Sequence, residues 1–200
     1  MKNVLALIIL FSCLICINAQ ENDNIGLYMR AAKEMINIMP STVIDQKADI
    51  SLFGWEKPCI SMFIKEELSR VYTKNRQPEF FFFFPNKSET TSTSTSKISQ
   101  IIINYPFVYA KSPDDFTLIR LFKIKNERAY RLEKTKALSS RNDFNVLDID
   151  TIPFTTIPIS DTAYKIILDS ELPVGEYGFI LKEKTPYKEI VYDFSIETLK

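Results

Sequence analysis

Carboxylate pairs are the main catalytic groups that this sequence offers, because it contains no histidine. That absence removes Ser-His and Cys-His nucleophile arrangements and His-bearing zinc sites. Asp114 and Asp115 are adjacent, and Asp148 and Asp150 would share one face of a strand, about 7 Å apart. A glycosidase holds two carboxyls across a cleft, and neighbours on one strand do not form two walls. We therefore predict solvated turn and strand-edge acids, and a protein that is not an enzyme.

Two further patterns resemble functional motifs and are weak. Ser94-Thr95-Ser96-Lys97 matches the Ser-x-x-Lys pattern of acyl enzymes, but it lies in a Ser/Thr tract that produces the pattern by chance. The segment 143–148 lacks the glycine and the third acidic position of an EF-hand loop. We predict no metal ion and no cofactor.

Three aromatic residues are candidates for ligand binding. β-Sandwiches that bind sugars use exposed aromatic rings backed by polar groups, and Trp55, Tyr105 and Tyr109 are suited to that role. Trp55 follows Gly54 and precedes Glu56-Lys57-Pro58, so a loop would present its ring. The alternative is that this single tryptophan packs in the core or anchors a loop.

The first nineteen residues are typical of a secretory signal peptide. Lys2 supplies the positive charge, Val4 to Ile17 are almost all apolar, and Ala19 gives a small residue at the cleavage point. The polar residues 20–24 follow at once, so the apolar run is too short for a membrane span. We predict cleavage after Ala19 and an exported protein, periplasmic or secreted.

A lipoprotein signal is the alternative interpretation of the same segment. Leu10-Phe11-Ser12-Cys13 resembles a bacterial lipobox, in which Cys13 would carry a lipid anchored to the outer membrane. The apolar residues 14–17 continue past that cysteine, where a mature lipoprotein usually becomes polar.

The balance of charged residues argues against nucleic acid as a partner. Removing residues 1–19 takes away only Lys2 from 25 basic and 25 acidic residues, leaving 24 against 25 and a net charge of −1. Nucleic acid binding needs a basic excess to neutralise phosphates, so we predict that the protein does not bind nucleic acid.

Cys59 is the only cysteine of residues 20–200, so it cannot form an internal disulfide, and we expect a buried, inert thiol.

Five consecutive phenylalanines, Phe80 to Phe84, predict a strand bounded by Pro78 and Pro85. Alternation sends Phe81 and Phe83 to one face and the other three rings to the opposite face. Both faces must then be covered, which predicts a central strand. An uncovered run of this kind would be prone to aggregation.

Other segments carry the same strand and turn signals. We predict one β-rich domain over residues 20–200, with residues 88–99 as a flexible Ser/Thr loop. The fold class is all-β: a single β-sandwich or barrel-like domain of short antiparallel strands, with at most one or two short helices. Further strands are expected at 116–124, 152–154, 162–168, 177–181 and 190–196, with turn chemistry at 112–115 and 172–176.

Two segments are ambiguous between helix and strand. Residues 28–39 could form an amphipathic helix that ends before Pro40, or a hairpin around residues 31–34. We favour the hairpin. Residues 60–72 have a similar ambiguity, since Lys65-Glu66-Glu67 favours a helix.

Several segments together resemble an uncharacterised, exported bacterial all-β domain with no assigned function. The strongest is the ending, Leu172-Pro173-Val174-Gly175-Glu176-Tyr177-Gly178-Phe179 followed by Val191-Tyr192-Asp193-Phe194-Ser195-Ile196. Gln77 to Phe80, Ser112 to Phe116 and Gly26-Leu27-Tyr28 add to it. The resemblance implies a β fold and an exported location, and it brings no catalytic residues.

These observations favour an exported, non-enzymatic domain that serves as a binding or structural accessory in the periplasm or at the cell surface. Its partner would be an envelope protein or a glycan, with membrane contact only through a lipid at Cys13. A carbohydrate-binding module or a carboxylate-based hydrolase is the alternative. Composition does not decide whether an edge strand pairs with another chain.

Overall fold

The computed structural model describes residues 25–49, 59–86, 105–134, 144–146, 150–182 and 190–198. The prediction of an all-β, barrel-like fold is confirmed, and the helical parts are one short α-helix, α1 (Tyr105–Tyr109), and a 3₁₀ turn at Pro113–Asp115. In chain order the strands are β1 (Gly26–Ala31), β2 (Glu34–Asn37), β3 (Pro40–Asp49), β4 (Cys59–Lys65), β5 (Tyr72–Thr73), β6 (Phe80–Phe83), β7 (Phe116–Ile124), β8 (Glu127–Lys134), β9 (Phe144–Val146), β10 (Thr151–Ile152), β11 (Phe154–Pro158), β12 (Ala163–Leu168), β13 (Gly175–Leu181) and β14 (Ile190–Ile196).

One layer is a five-stranded antiparallel sheet in the order β11-β12-β6-β1-β2. The phenylalanine strand β6 lies at its centre, paired with β1 on one side and β12 on the other. The predicted central position of this strand is therefore confirmed.

The predicted alternation of the phenylalanine rings is also confirmed. Phe80, Phe82 and Phe84 point into the core, where Phe80 lies 5.1 Å from the Phe179 ring. On the outer face, the Arg30 guanidinium covers the buried Phe81 ring at 4.9 Å. Successive side chains of a pleated strand point to opposite faces, so phenylalanine rings lie on both faces of β6, and other side chains cover both faces.

The second layer is a closed, six-stranded antiparallel barrel in the order β7-β13-β14-β3-β4-β8, with β8 pairing back to β7. Closure gives every barrel strand a neighbour on both sides. Three short strands extend this layer: β10 pairs with β7, β9 with β8, and β5 lies parallel to the end of β14.

Strand alternation separates the barrel interior from its outer wall. The inner side chains form an apolar cluster of their own: Met62, Ile64, Ile119, Leu121, Tyr130, Leu132, Ile180 and Val191. Alternate residues on β13 and β14, such as Tyr177, Phe179 and Phe194, point outward instead and pack against the five-stranded sheet. The β13–β14 hairpin is thus a common wall between two cores.

The hairpin predicted over residues 28–39 is confirmed. Strands β1 and β2 pair from Tyr28 opposite Asn37 to Ala31 opposite Glu34, and the turn residue Ala32 has a positive φ of 54°. Leu27 and Met29 are buried in the core at every second residue, a period that a helix does not provide.

The ambiguous segment 60–72 is a strand followed by irregular chain. β4 ends at Lys65, and the next residue, Glu66, has a φ of 78°, which a helix does not allow. Cys59 is partly exposed rather than buried as predicted, because it occupies the first position of β4.

The turn before β13 is held by the first tyrosine of that strand. The Tyr177 hydroxyl donates a hydrogen bond to the Pro173 carbonyl at 2.7 Å, as in the tyrosine corner of β-sandwich proteins. This bond satisfies a buried hydroxyl and fixes the direction in which the chain enters the common wall.

Substitution of Gly178 tests how tightly the barrel interior is packed. A β-carbon there would collide with the Val191 side chain, so we expect Gly178→Ala to lower the free energy of unfolding by about 1–3 kcal/mol. Gly175→Ala is the matched control, since its nearest contact would be ordinary, 3.5 Å from the Tyr177 hydroxyl. Chemical denaturation measures both, and equal stabilities of the two variants would contradict a tightly packed interior.

Candidate functional site

Three charged side chains from three strands meet inside the barrel. Arg128 on β8, Glu176 on β13 and Asp193 on β14 are only 0%, 3% and 4% exposed. Each lies an even number of residues from an inward-facing neighbour on its own strand, so alternation turns all three into the barrel. Together with Ser69 and Ser195 they form what we call the barrel cluster.

Arg128 is the centre of the barrel cluster. Its Nη1 atom donates to Asp193 Oδ2 and lies 3.5 Å from Glu176 Oε2, while its Nε atom donates to the Glu66 carbonyl at 3.1 Å. The remaining Nη2 atom has no hydrogen-bond partner. One guanidinium therefore joins β8 to both strands of the common wall and to the segment after β4.

Ser69 and Ser195 form further hydrogen bonds with the two acidic residues. Ser195 Oγ lies 2.8 Å from both Glu176 carboxylate oxygens, and the Ser69 backbone N–H donates to Glu176 Oε2 at 3.0 Å. Ser69 Oγ also donates to the Asp193 carbonyl at 2.7 Å. These bonds tie the irregular segment after β4 to β13 and β14.

The chemistry of the barrel cluster is that of a structural ion network. A buried charge is tolerated only when it is paired and hydrogen-bonded, and here two carboxylates share one guanidinium and several hydrogen-bond donors. The groups are nearly inaccessible to a substrate, and their polar atoms, apart from Arg128 Nη2, are bonded within the barrel cluster or to neighbouring backbone. We interpret the barrel cluster as a device that fixes the register of the barrel strands.

Asp150 lies outside the barrel cluster, and the prediction that it is a solvated acid is wrong, because its carboxyl is buried. It is 6% exposed, its Oδ2 atom has no hydrogen-bond partner, and it directly precedes β10. Burial raises the pKa of this carboxyl above its ordinary value, and the nearby Arg131 and Arg120 oppose that rise in part. Asp148, its predicted neighbour, lies outside the described residues.

The other predicted acid pair is structural. Asp115 Oδ2 accepts a hydrogen bond from the Lys111 backbone N–H at 2.6 Å and caps the 3₁₀ turn together with Ser112. Asp114 is exposed and accepts a hydrogen bond from the Thr156 hydroxyl at 3.2 Å. The turn predicted at residues 112–115 is confirmed.

The predicted ligand-binding aromatics fall in different places. Tyr105 and Tyr109 are the first and last residues of α1, and Tyr109 is 56% exposed. Trp55 lies outside the described residues, and so do Cys13, the signal segment 1–19 and the Ser/Thr segment 88–99. Of the three aromatics, Tyr109 is the one whose side chain the structure places at the surface.

Sequence reasoning missed the barrel cluster. In the sequence, Glu176 and Asp193 belong to turn and strand motifs, and no pattern around Arg128 marks it as a buried charge. One signal was present: Glu176 and Asp193 stand next to aromatic residues, in strands whose other positions, apart from Ser195, are apolar or glycine. A charged residue at such a position either faces solvent or needs a buried partner, and the sequence does not say which.

Comparison with protein-family models, with curated proteins and with solved structures found no match to this chain. Within the described ranges, the helical segments are neither long nor apolar enough to cross a bilayer. The same residues contain no group of three or more metal-ligating side chains placed to hold an ion.

Removing Arg128 should destabilise the fold strongly. Arg128→Met leaves Glu176 and Asp193 buried without their counter-charge, so we expect the free energy of unfolding to fall by about 3–5 kcal/mol. Arg70→Met, which breaks an exposed ion pair with Glu66, is the matched control and should have a much smaller effect.

A triple variant separates charge imbalance from loss of packing. Arg128→Met combined with Glu176→Gln and Asp193→Asn removes all three charges, so it should recover part of the stability lost in Arg128→Met alone. Urea denaturation of the four proteins gives the comparison. An Arg128→Met protein as stable as Arg70→Met would show that the barrel cluster contributes little.

The buried carboxyl Asp150 should make stability depend on pH. Because its pKa is raised in the folded chain, ionisation opposes folding once the pH exceeds the ordinary aspartate value of about 3.9. Asp150→Asn should therefore stabilise the protein at neutral pH, and the gain should disappear as the pH falls below that value. Thermal unfolding between pH 3 and pH 8, with the exposed Asp161→Asn as a charge-matched control, measures this, and a pH-independent difference would contradict it.

Proposed function

We propose that this chain is an exported, non-enzymatic β-domain that acts as a binding or structural accessory in the periplasm or at the cell surface. The barrel cluster is the observation that carries the proposal. Arg128, Glu176 and Asp193 are the most deeply buried charged residues described, and they bind one another inside the barrel. Such groups stabilise a scaffold and are not presented to a substrate.

The proposed export of the protein is inferred from its amino-terminal segment. Residues 1–19 have the charge, apolar run and small cleavage residue of a secretory signal, and polar residues follow. The mature chain would begin at Gln20, or at a lipidated Cys13 in the alternative interpretation. Either route delivers the domain to the envelope, where its partner would be a protein or a glycan.

A carbohydrate-binding module is the second candidate, and the exposed Tyr109 favours it. Tyr109 is 56% exposed at the end of α1, and sugars stack on exposed aromatic rings. A carboxylate-based hydrolase would need a second acid facing Asp150 across a cleft. The nearly balanced charge argues against nucleic acid as a partner.

The proposed location predicts the mass of the native protein. Intact mass measured from membrane and soluble fractions should reveal a soluble species that starts at Gln20. A membrane species that starts at a lipidated Cys13 would show that the protein is exported but lipid-anchored. A cytoplasmic chain that retains Met1 would contradict export.

The non-enzymatic role predicts that the purified protein releases no sugar from envelope polysaccharides. Turnover that is lost in Asp150→Asn and kept in Asp161→Asn would contradict it and favour the hydrolase. A glycan array separates the two binding roles. Binding that is lost in Tyr109→Ala but kept in Tyr72→Ala, another exposed tyrosine, would favour the carbohydrate module.

A further inference from the structure

The short helix α1 covers part of the aromatic core, the apolar layer between the five-stranded sheet and the common wall. Phe107 on this helix is 0% exposed, whereas Tyr109, two residues later, is 56% exposed. The Phe107 ring contacts four aromatic rings of the core, at centroid distances of 5.6 Å from Phe82, 5.2 Å from Phe84, 5.2 Å from Phe116 and 5.4 Å from Tyr192. One ring of a surface helix therefore fills a space that is lined by aromatic side chains.

The backbone contributes little to the attachment of α1. Among the described residues, no backbone hydrogen bond joins α1 to a strand, and the bond from the Ala110 N–H to the Pro106 carbonyl lies within the helical turn itself. The chain directly after α1 is anchored, because Asp115 caps the 3₁₀ turn and its carbonyl accepts a hydrogen bond from the Lys182 N–H at 2.8 Å. The helix is thus held mainly by its apolar side chains, next to a fixed point about which it can turn.

Tyr192 carries a buried hydroxyl in this space. The residue is 0% exposed, and its hydroxyl has no hydrogen-bond partner in the part of the chain that the structure describes. Burial raises the pKa of this hydroxyl far above its ordinary value, so it stays a neutral donor. A buried hydroxyl without a partner loses its hydrogen bonds to water and gains none in return, so phenylalanine would be the more stable choice here.

Tyr177 shows how the same core accommodates a tyrosine that has a structural role. It also projects from the common wall into the aromatic core and is 1% exposed, but its hydroxyl donates to the Pro173 carbonyl at 2.7 Å. Buried polar groups normally have such a partner, and an exception needs an explanation. Tyr192 differs in that its ring packs against Phe107, the one side chain of α1 that fills the aromatic space.

We propose that α1 is a lid, and that the space filled by Phe107 is a binding site for a small, neutral aromatic compound that carries a hydroxyl or carbonyl oxygen. The ring of this ligand replaces the Phe107 ring against Phe82, Phe84 and Phe116. Its oxygen accepts the hydrogen bond that the Tyr192 hydroxyl otherwise lacks.

The lining of the site determines the class of ligand. Aromatic rings attract one another in edge-to-face and tilted arrangements, and the rings around Phe107 already adopt them, so an aromatic ligand is favoured over an aliphatic chain. The core cluster contains no charged side chain, so an ionised ligand would lose its hydration without gaining a counter-charge. The space of one phenylalanine ring limits the ligand to about a single ring.

This inference goes beyond the proposed function, because it concerns a small molecule rather than an envelope protein or a glycan. Its tests measure the affinity of the mature chain for simple aromatic compounds. Their outcome is therefore independent of whether a protein or a glycan binds elsewhere.

Phenol is the probe, and benzene, which lacks the oxygen, is the comparison. Titration of the mature chain followed by NMR should show saturable binding of phenol. The Phe107 ring signals should move toward those of an exposed phenylalanine as the lid opens. A chain that does not bind phenol, or that binds it without a change at Phe107, overturns the proposal.

Tyr192→Phe removes the hydroxyl alone. The affinity for phenol should fall about fivefold, the loss expected for one neutral hydrogen bond, and the affinity for benzene should stay the same. Tyr177→Phe is the matched control and should leave both affinities unchanged, because its hydroxyl is bonded to Pro173. A phenol affinity that is unchanged in Tyr192→Phe, or that falls equally in Tyr177→Phe, overturns the proposal.

The stability of the same two variants, without ligand, checks the state of each hydroxyl. Tyr192→Phe should not lower the midpoint of urea denaturation, since it removes no hydrogen bond, whereas Tyr177→Phe should lower it. A loss of stability in Tyr192→Phe as large as that in Tyr177→Phe would show that the Tyr192 hydroxyl is already bonded within the chain, and would overturn the proposal.

Phe107→Ala tests whether the lid competes with the ligand. This variant should bind phenol more tightly than the native chain, because no ring has to leave the site first. Circular dichroism checks that it folds, and the Tyr192→Phe comparison stands if it does not. Phenol binding that occurs only in Phe107→Ala would mean that the substitution created a cavity where the native chain has no site, and would overturn the proposal.

Discussion

The two faces of the β13–β14 hairpin impose the main constraint on this structure. One face points into the barrel and carries Glu176 and Asp193, and the other carries aromatic rings that pack on the five-stranded sheet. Since side chains alternate strictly along a strand, a shift of one residue would place charges in the aromatic core and rings in the narrow barrel. The register of this hairpin therefore sets the composition of both cores.

The barrel cluster explains how buried charges serve that register. Arg128 reaches both strands of the hairpin from β8, and Ser69 links the segment after β4 to the same acids. Apolar contacts alone tolerate small shifts in register, whereas a buried carboxylate that loses its guanidinium is strongly unfavourable. The network thus favours one arrangement of the strands over its near alternatives.

Much of the fold was predictable from local pattern. β7 and β14 have the predicted limits 116–124 and 190–196, and the five phenylalanines alternate as expected, because turn residues and side-chain alternation act over short distances. The barrel cluster was not predictable. Arg128 is 48 residues from Glu176 and 65 from Asp193 along the chain, and a strand covered on both faces does not reveal which side is inside a barrel. Of the candidate ligand-binding site, only Tyr109 has a described side chain that can be assessed.

Amide hydrogen exchange of the native chain, resolved to single strands, tests the central role of the hairpin most directly. If β13 and β14 hold both cores, their amides should exchange only through global unfolding, and those of the edge strands β2 and β11 should exchange at a lower free energy. Amides of β13 and β14 that exchange readily while β1 and β6 stay protected would contradict the account. That result would mean that the five-stranded sheet is stable without the barrel wall.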